Sequence, residues 1–393
     1  GSHVLAYLRD NLFAIRPKYT TILTSKKLSD KIEVAQTTLK ESWKKHREKM
    51  EACLGRQLPW HKSRITFIAC FMLSLVQQKT VKLVSISQGF ASKAQAESSY
   101  RRIQRFFQGY GFQPAVFSKM ILSLLPEPPY TVCLDRTNWQ FGSFKINILM
   151  LSIAHKGVAF PIVWLLLGKK GNSNTQERKK LMERFLSLIA VQDIAMLVAD
   201  REFIAQAWFT FLDKQKIPFT IRIRQDALVN ASTNVHLLFK SLKVGQLEVL
   251  TQKHGIYGLD LYLCALRLET QELLILVSNR KAKRALTFYK RRWQIEMLFT
   301  ALKKTGFDLE STHLACHKKL DKLLSLVSLA LVWAHSVGEW LHRSRLKPLR
   351  AKSHGRLAKS FLRHGLDYLR YLLCNPLADR KNLLACVQLL SCT

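Results

Sequence analysis

From about Val4 to Leu125 apolar residues recur at helical spacing between long basic segments such as ESWKKHREKMEACLGR, and almost nothing has the alternation of a strand. Within that region VKLVSISQGFASKAQAESSYRRIQRFF (81–107) reads as two amphipathic segments around a break at Gly89 to Ser92. The proline-rich LLPEPPY (124–130) marks a domain edge. After it the period shortens: YTVCLD, KINILMLSIA and VAFPIVWLLL predict strands, the last two joined as a hairpin through His155 to Gly157. NTQERKKLMERFLSLIA predicts a helix opened by a capping box of Asn174 and Glu177. The strand IAMLVAD, a helix through AQAWFTFLDKQK and the strand PFTIRIR follow, so this part reads as a mixed α/β sheet.

Residues 226–278 are less regular. QLEVLTQ, LDLYLCALRLE and ELLILVSN predict strands around Gly255 and Gly258, in a segment read as a β-rich insertion. YKRRWQIEMLFTALKK (289–304) then predicts a helix, and the chain reads as helical from about 315 to its end. Its most apolar run, LLSLVSLALVWA (323–334), is too short to span a bilayer and suits a core helix. Gly1-Ser2-His3 reads as a tag remnant and is set aside.

Charge narrows the function more than the pattern does. Lysine and arginine outnumber acids 62 to 27, a net charge of +35. A folded chain tolerates such self-repulsion best when its partner is a polyanion, which makes nucleic acid the first expectation and an anionic membrane the second. Eight cysteines without a CxxC pair suggest reduced thiols inside a cell. HLACH, with His313, Cys316 and His317, has the form of half a zinc site, but the chain offers no matching half. In the 81–107 segment Arg101, Arg102 and Arg105, mixed with Tyr100, Phe106 and Phe107, fit either the second helix of a helix-turn-helix on DNA or an ordinary solvated basic face. Trp139, Trp164 and Trp208 sit in apolar company and read as core; Trp293 borders a charged stripe instead.

With so few carboxylates, those in apolar surroundings stand out. TVCLDR and MLVADR each place an aspartate, Asp135 and Asp200, after a strand-like run, where an unpaired carboxylate would cost several kcal/mol. On neighbouring strands the two would share hard cations. Glu296, on a helix across the sheet edge, would complete a cage for two Mg²⁺ about 4 Å apart, suited to phosphodiester cleavage and strand transfer. At about 100° per residue Tyr289, Arg292, Glu296 and Lys303 share an arc of roughly 60°, so the phenol and the two cations would grip phosphates beside the metals. Plainer roles exist for each acid: a turn or cap for Asp135, an N-cap for Asp200, a surface salt bridge for Glu296. GxxxxGK[ST], GxGxxG, GxSxG and HExxH are all absent.

The spacing Y-x2-R-x3-E-x6-K at Tyr289, Arg292, Glu296 and Lys303 resembles the signature of the DDE transposases of bacterial insertion-sequence family 4. LDRTNW (134–139) resembles that family's first aspartate motif and ADREF (199–203) its second, a likeness covering about 130 to 310. It implies an α/β fold: an RNase H-like catalytic domain (126–225 and 279–315) split by the β-rich insertion (226–278), between an N-terminal helical DNA-end-binding region (4–125) and a C-terminal helical region (316–393) for dimerisation and DNA contact. Further implied are Asp135, Asp200 and Glu296 as catalytic metal ligands for two Mg²⁺, with Mn²⁺ able to substitute, and Tyr289, Arg292, Trp293 and Lys303 as contacts to DNA near the cleaved end. The activity would be cut-and-paste transposition on terminal inverted repeats and target DNA, by a homodimer in the cytoplasm and nucleoid of a bacterium, with no membrane partner. Release through a DNA hairpin is part of the family's pattern and stacks a flipped base on an aromatic. No Trp lies between Trp208 and Trp293, so Tyr257, Tyr262 or Phe288 would take that place. The competing expectation is a non-catalytic DNA-binding regulator or domesticated remnant; the intact carboxylate set argues for the enzyme.

Overall fold

The computed structural model describes residues 37, 41, 43–90, 96–109, 111, 113–353, 355–375 and 380–391. The helical pattern expected from Val4 to about residue 36, and the second half of the expected break at Gly89 to Ser92, lie outside them.

The framework is one eight-stranded sheet in the order β3-β2-β1-β4-β5-β10-β9-β8. β1 (Tyr130–Phe141), β2 (Phe144–His155) and β3 (Val158–Leu166) form an antiparallel meander. β4 (Ile194–Ala199) pairs parallel with β1, and β5 (Phe219–Ile223) parallel with β4. Parallel neighbours need crossovers. The helix Thr175–Leu186, with the expected Asn174–Glu177 capping box, leads into β4, and Gln206–Lys214 joins β4 to β5. In the middle of β2 every residue is buried, the mark of a strand covered on both faces, whereas β8 (Leu247–Ile256) at the sheet edge is exposed or half-buried in all but its last residue.

Three local expectations change. β1 does not stop at Asp135: it runs six residues further, because β2 continues to pair with it after its other neighbour, β4, has ended at Ala199. Residues 226–278 are β-rich as expected, but β9 (Leu259–Arg267) and β10 (Leu273–Ser278) extend the main sheet, β10 pairing antiparallel with β5. Only β6 (Leu228–Val229) and β7 (Thr233–Asn234) form a separate two-stranded ribbon. The stretch 289–304 is not one regular helix: the helix Ala285–Tyr289 tightens to a 3-10 turn over Lys290–Arg292, resumes as an α-helix over Trp293–Thr300 and widens to a π-turn over Ala301–Thr305.

Helices flank the sheet, and we number those used below: α1 (43–55), α2 (Lys62–Gln78), α3 (Leu83–Gln88), α4 (Ala96–Gly109), α5 (Pro114–Leu122), α6 (Thr175–Leu186), α7 (Gln206–Lys214), α8 (Ala285–Tyr289), α9 (Trp293–Thr300), α10 (His317–Arg343), α11 (Phe361–Cys374) and α12 (Arg380–Gln388). α10 is long and apolar enough to cross a membrane by composition, yet it is mostly buried, packed on α2, α5, α11 and β3. Phe106 and Phe107 of α4 turn into the same core, Phe106 stacking on Phe67 at 4.2 Å, and so present no aromatic face to DNA. Lys322 of α10, 6% exposed, donates to the carbonyls of Phe106 and Phe107 at 3.1 Å each, supplying the last turn of α4 with donors it lacks.

α10 and α11 meet backbone to backbone. A Cβ built on Gly338 would stand 1.8 Å from the Phe361 carbonyl oxygen, and one on Gly365 1.8 Å from that of Ala334. Alanine at a free helical position would stabilise by up to about 1 kcal/mol. Here the contact must open, so Gly365→Ala should instead lower stability by about 1–3 kcal/mol, read as a fall in the urea midpoint at unchanged m-value.

Candidate functional site

Parallel pairing aligns Leu134 with Ala199, so Asp135 and Asp200 follow side by side at the level where β4 ends. Each turns back on its own chain: Asp135 Oδ1 accepts from the Arg136 amide and Asp200 Oδ1 from the Arg201 amide, both at 2.7 Å. Asp200 thereby caps the 3-10 turn Arg201–Phe203, so the plainer role foreseen for it is also filled.

Glu296 comes from α9, which buries Ile295, Leu298 and Phe299 against the sheet and packs on β1, β2 and β3. Arg292, just before α9, links it to the strands. Its Nη1 lies 3.4 Å from Asp135 Oδ2, and Nη2 makes a short charged hydrogen bond to Glu296 Oε1. The foreseen salt bridge of Glu296 therefore exists, but it is joined to a strand carboxylate. The Arg292 guanidinium also lies over the Tyr289 ring at 5.6 Å, and its buried Nε has no hydrogen-bond partner.

Burial pushes the Asp135 carboxyl up to about 6; the Arg136 amide and Arg292 oppose this, and the charges of Asp200 and Glu202 add to it. Burial also raises the Tyr289 phenol to about 12, which keeps it protonated. For Arg292, burial works against the charge, but Tyr289 and the surrounding carboxylates outweigh it and hold the guanidinium above its ordinary range. Asp135, Asp200 and Glu296 are not all within 4.8 Å of one another, the spacing at which three donors share one ion; Arg292 bridges Asp135 and Glu296 instead.

The cluster thus gathers Asp135, Asp200, Glu296, Arg292 and Tyr289. Tyr289 is buried with Cys264, Leu274 and Leu276, so its ring is packed rather than presented to a ligand. Lys303, displaced by the π-turn, donates to the Asn138 carbonyl at 2.9 Å, pairs with Glu310 at 3.1 Å and lies over Trp139. Trp293 is 60% exposed. Arg101 and Arg102 sit elsewhere, on α4: Arg101 pairs with Glu97, and Arg102 donates to the Ser63 carbonyl and lies over Phe67. Arg105 lines a cavity of about 230 Å³ with Arg102 and Phe67. His313 stacks on Phe141 at 4.6 Å and His317 leans on Phe144, so the HLACH rings cover the β1–β2 turn. Phe288, half-buried, has the guanidinium groups of Arg284 and Arg291 over its ring at 5.3 and 5.5 Å.

Sequence reading missed the brace behind the aspartates. Arg136 forks onto Glu202 at 2.8 and 3.2 Å and reaches Asn147 and Asn172, while buried Arg178 of α6 donates to the Glu202 carbonyl at 3.1 Å. The signal was present, since Arg136 adjoins one aspartate in LDRTNW and Glu202 lies two residues after the other in ADREF. An open cleft of about 680 Å³ beside Asp200 is lined by Arg201, Arg222 and Arg224, with Glu272 bridging the first two.

The raised Asp135 fixes the sign of a pH effect. Between the ordinary carboxyl value of 3.8 and about 6 the folded chain binds more protons than the unfolded one, so stability falls as pH rises through that window. The cost above it is on the order of 3 kcal/mol. In EDTA, Asp135→Asn should raise the thermal midpoint at pH 7.5 and leave it nearly unchanged at pH 4, a comparison read directly from melting curves.

A search of curated proteins finds no match. Among solved structures the chain is similar to one described as a cryo-EM structure of the piggyBac transposase synaptic complex with hairpin DNA: 12% identity, 81% of this chain and 73% of that one covered, TM-score 0.43. The family model described as the transposase DDE domain matches residues 126–333, which spans every strand of the main sheet, all three carboxylates and most of α10. With more than half of its length inside that match, the chain belongs to the DDE-domain transposases.

Proposed function

We propose that this transposase is a cut-and-paste enzyme of the insertion-sequence group carrying the Y-x2-R-x3-E-x6-K signature, binding terminal inverted repeats, cleaving at the element's ends and joining 3′ ends to target DNA. One observation carries the reading: Asp135 and Asp200 leave paired parallel strands side by side, and Arg292 ties Asp135 to Glu296. The strand order β3-β2-β1-β4-β5, antiparallel then parallel, supports an RNase H-like core.

Asp135, Asp200 and Glu296 would hold the Mg²⁺ ions, with Mn²⁺ able to substitute. The fit rests on an all-oxygen, acidic donor set of the kind hard cations take, and on the guanidinium already standing between two of its members. When bound, the ions supply an activated water or 3′-hydroxyl and charge stabilisation at the leaving oxygen. The chain's own contribution is positional. Arg292, released from the carboxylates, offers a fork to a phosphate, and the buried Tyr289 ring packs beneath the guanidinium and holds it in place. Trp293 gives an exposed aromatic beside the same point, and Arg201, Arg222 and Arg224 give the cleft a basic wall. Phe288, flanked by two arginines, is the candidate platform for a flipped base if release passes through a hairpin. Residues 4–125 are assigned to end binding, with Arg101, Arg102 and Arg105 on their outer face, and 316–393 to dimerisation and backbone contact.

On a labelled duplex carrying the element's end, cleavage should need Mg²⁺ and fall about 10²–10³-fold or more in Asp135→Ala, Asp200→Ala and Glu296→Ala while binding persists. Wild-type binding without cleavage under any divalent ion would leave a DNA-binding regulator instead. Trp293→Ala should weaken end binding by about 1–3 kcal/mol. Because that ring is exposed, the thermal midpoint should not move, which a parallel melt checks.

A further inference from the structure

A second group of metal-ligating side chains lies at the junction of the β2–β3 hairpin and α10. His155 closes β2 just before the turn through Lys156 and Gly157, and His335 and Glu339 sit four residues apart on one face of α10. One donor atom from each falls within 4.8 Å of the others, the only such trio among the described residues. His155 Nε2 lies 3.0 Å from Glu339 Oε2. We propose that His155, His335 and Glu339 form a binding site for one zinc-class divalent transition-metal ion, which joins the β2–β3 hairpin to the C-terminal helices.

His335 carries the argument. It is 1% exposed and neither ring nitrogen has a hydrogen-bond partner. A pair between His155 and Glu339 accounts for those two residues and leaves His335 unexplained. An unpaired buried polar group costs about 1–3 kcal/mol, and coordination satisfies one of the two nitrogens. Rings of Phe160 and Phe361 approach that of His335 at 5.1 and 5.8 Å and hold it in place.

The distances suit a small ion. Metal–ligand bonds of about 2.0–2.2 Å in a tetrahedron set donor atoms about 3.3 Å apart, against 3.0 Å between His155 and Glu339 and no more than 4.8 Å across the trio. Two histidines and one glutamate form a ligand set that zinc takes when a fourth position is left for water. His155 and Glu339 also line an open cavity of about 490 Å³, which offers both entry and that water. Two cations compete: Lys156 and Arg343 both engage Glu339 Oε1, leaving Oε2 on the His155 side.

The test uses the full chain carrying Asp135→Asn, Asp200→Asn and Glu296→Gln, stripped with EDTA, so that the carboxylate cluster does not contribute. Titration with Zn²⁺ against a chromophoric chelator should find one ion per chain, and bound Co²⁺ should give the visible absorption of a four-coordinate nitrogen-oxygen site. Adding His155→Gln or Glu339→Gln should weaken binding at least tenfold, whereas Lys156→Ala, in the exposed turn, should tighten it several-fold. No zinc bound, binding unchanged in the two ligand variants, or weakening in Lys156→Ala would each overturn the assignment.

Discussion

Two carboxylates that leave adjacent parallel strands at the same level repel each other and lose part of their water together, and the neighbourhood of Asp135 and Asp200 is arranged around that repulsion. Backbone amides of the next residues answer part of it, and the Arg292 guanidinium answers more, joining a strand carboxylate to one from α9. Behind them the Arg136–Glu202 fork holds the two strand ends in one relation while they carry like charges at the front. The arginine therefore makes the acidic cluster tolerable to the fold, tying a strand carboxylate to a helix one.

How much of this was legible depended on whether the signal was local. Apolar runs ending in Asp135 and Asp200, and the Asn174–Glu177 box, encode their structure within a few residues, and the strands and helix formed there. Strand pairing is not a local property. Leu273–Ser278 looks the same whether it pairs within an insertion or with β5, and only the fold chose β5. The regular helix expected over 289–304 failed for another reason: a fixed 100° step says nothing of a 3-10 turn at Lys290–Arg292 or a π-turn at Ala301–Thr305, and these re-aim Lys303 toward Asn138. The fate of Phe106 and Phe107 stayed open because an aromatic beside arginines has one sequence appearance for two outcomes, stacking outward or packing inward, and here both pack inward.

The excess of positive charge has structural work as well as an electrostatic reach. Lys322 spends its charge on the carbonyl end of α4, and Arg178 spends its own under the Asp200 turn. Cations of this kind are fixed and unavailable to a polyanion, whereas Arg201, Arg222 and Arg224 line an open cleft. A net charge of +35 therefore overstates the number of phosphates the surface can meet.

The glycine seam between α10 and α11 bears on how the chain is made. α10 resembles a membrane span in length and composition, and the helix that closes against its backbone at Gly338 comes later in the chain, at Phe361–Cys374. At ordinary translation rates the stretch from Arg343 to Cys374 takes about 2–6 s to synthesise. For that interval α2, α5 and β3 are already made, and the face of α10 at Ala334 and Gly338 that α11 will close waits for its partner.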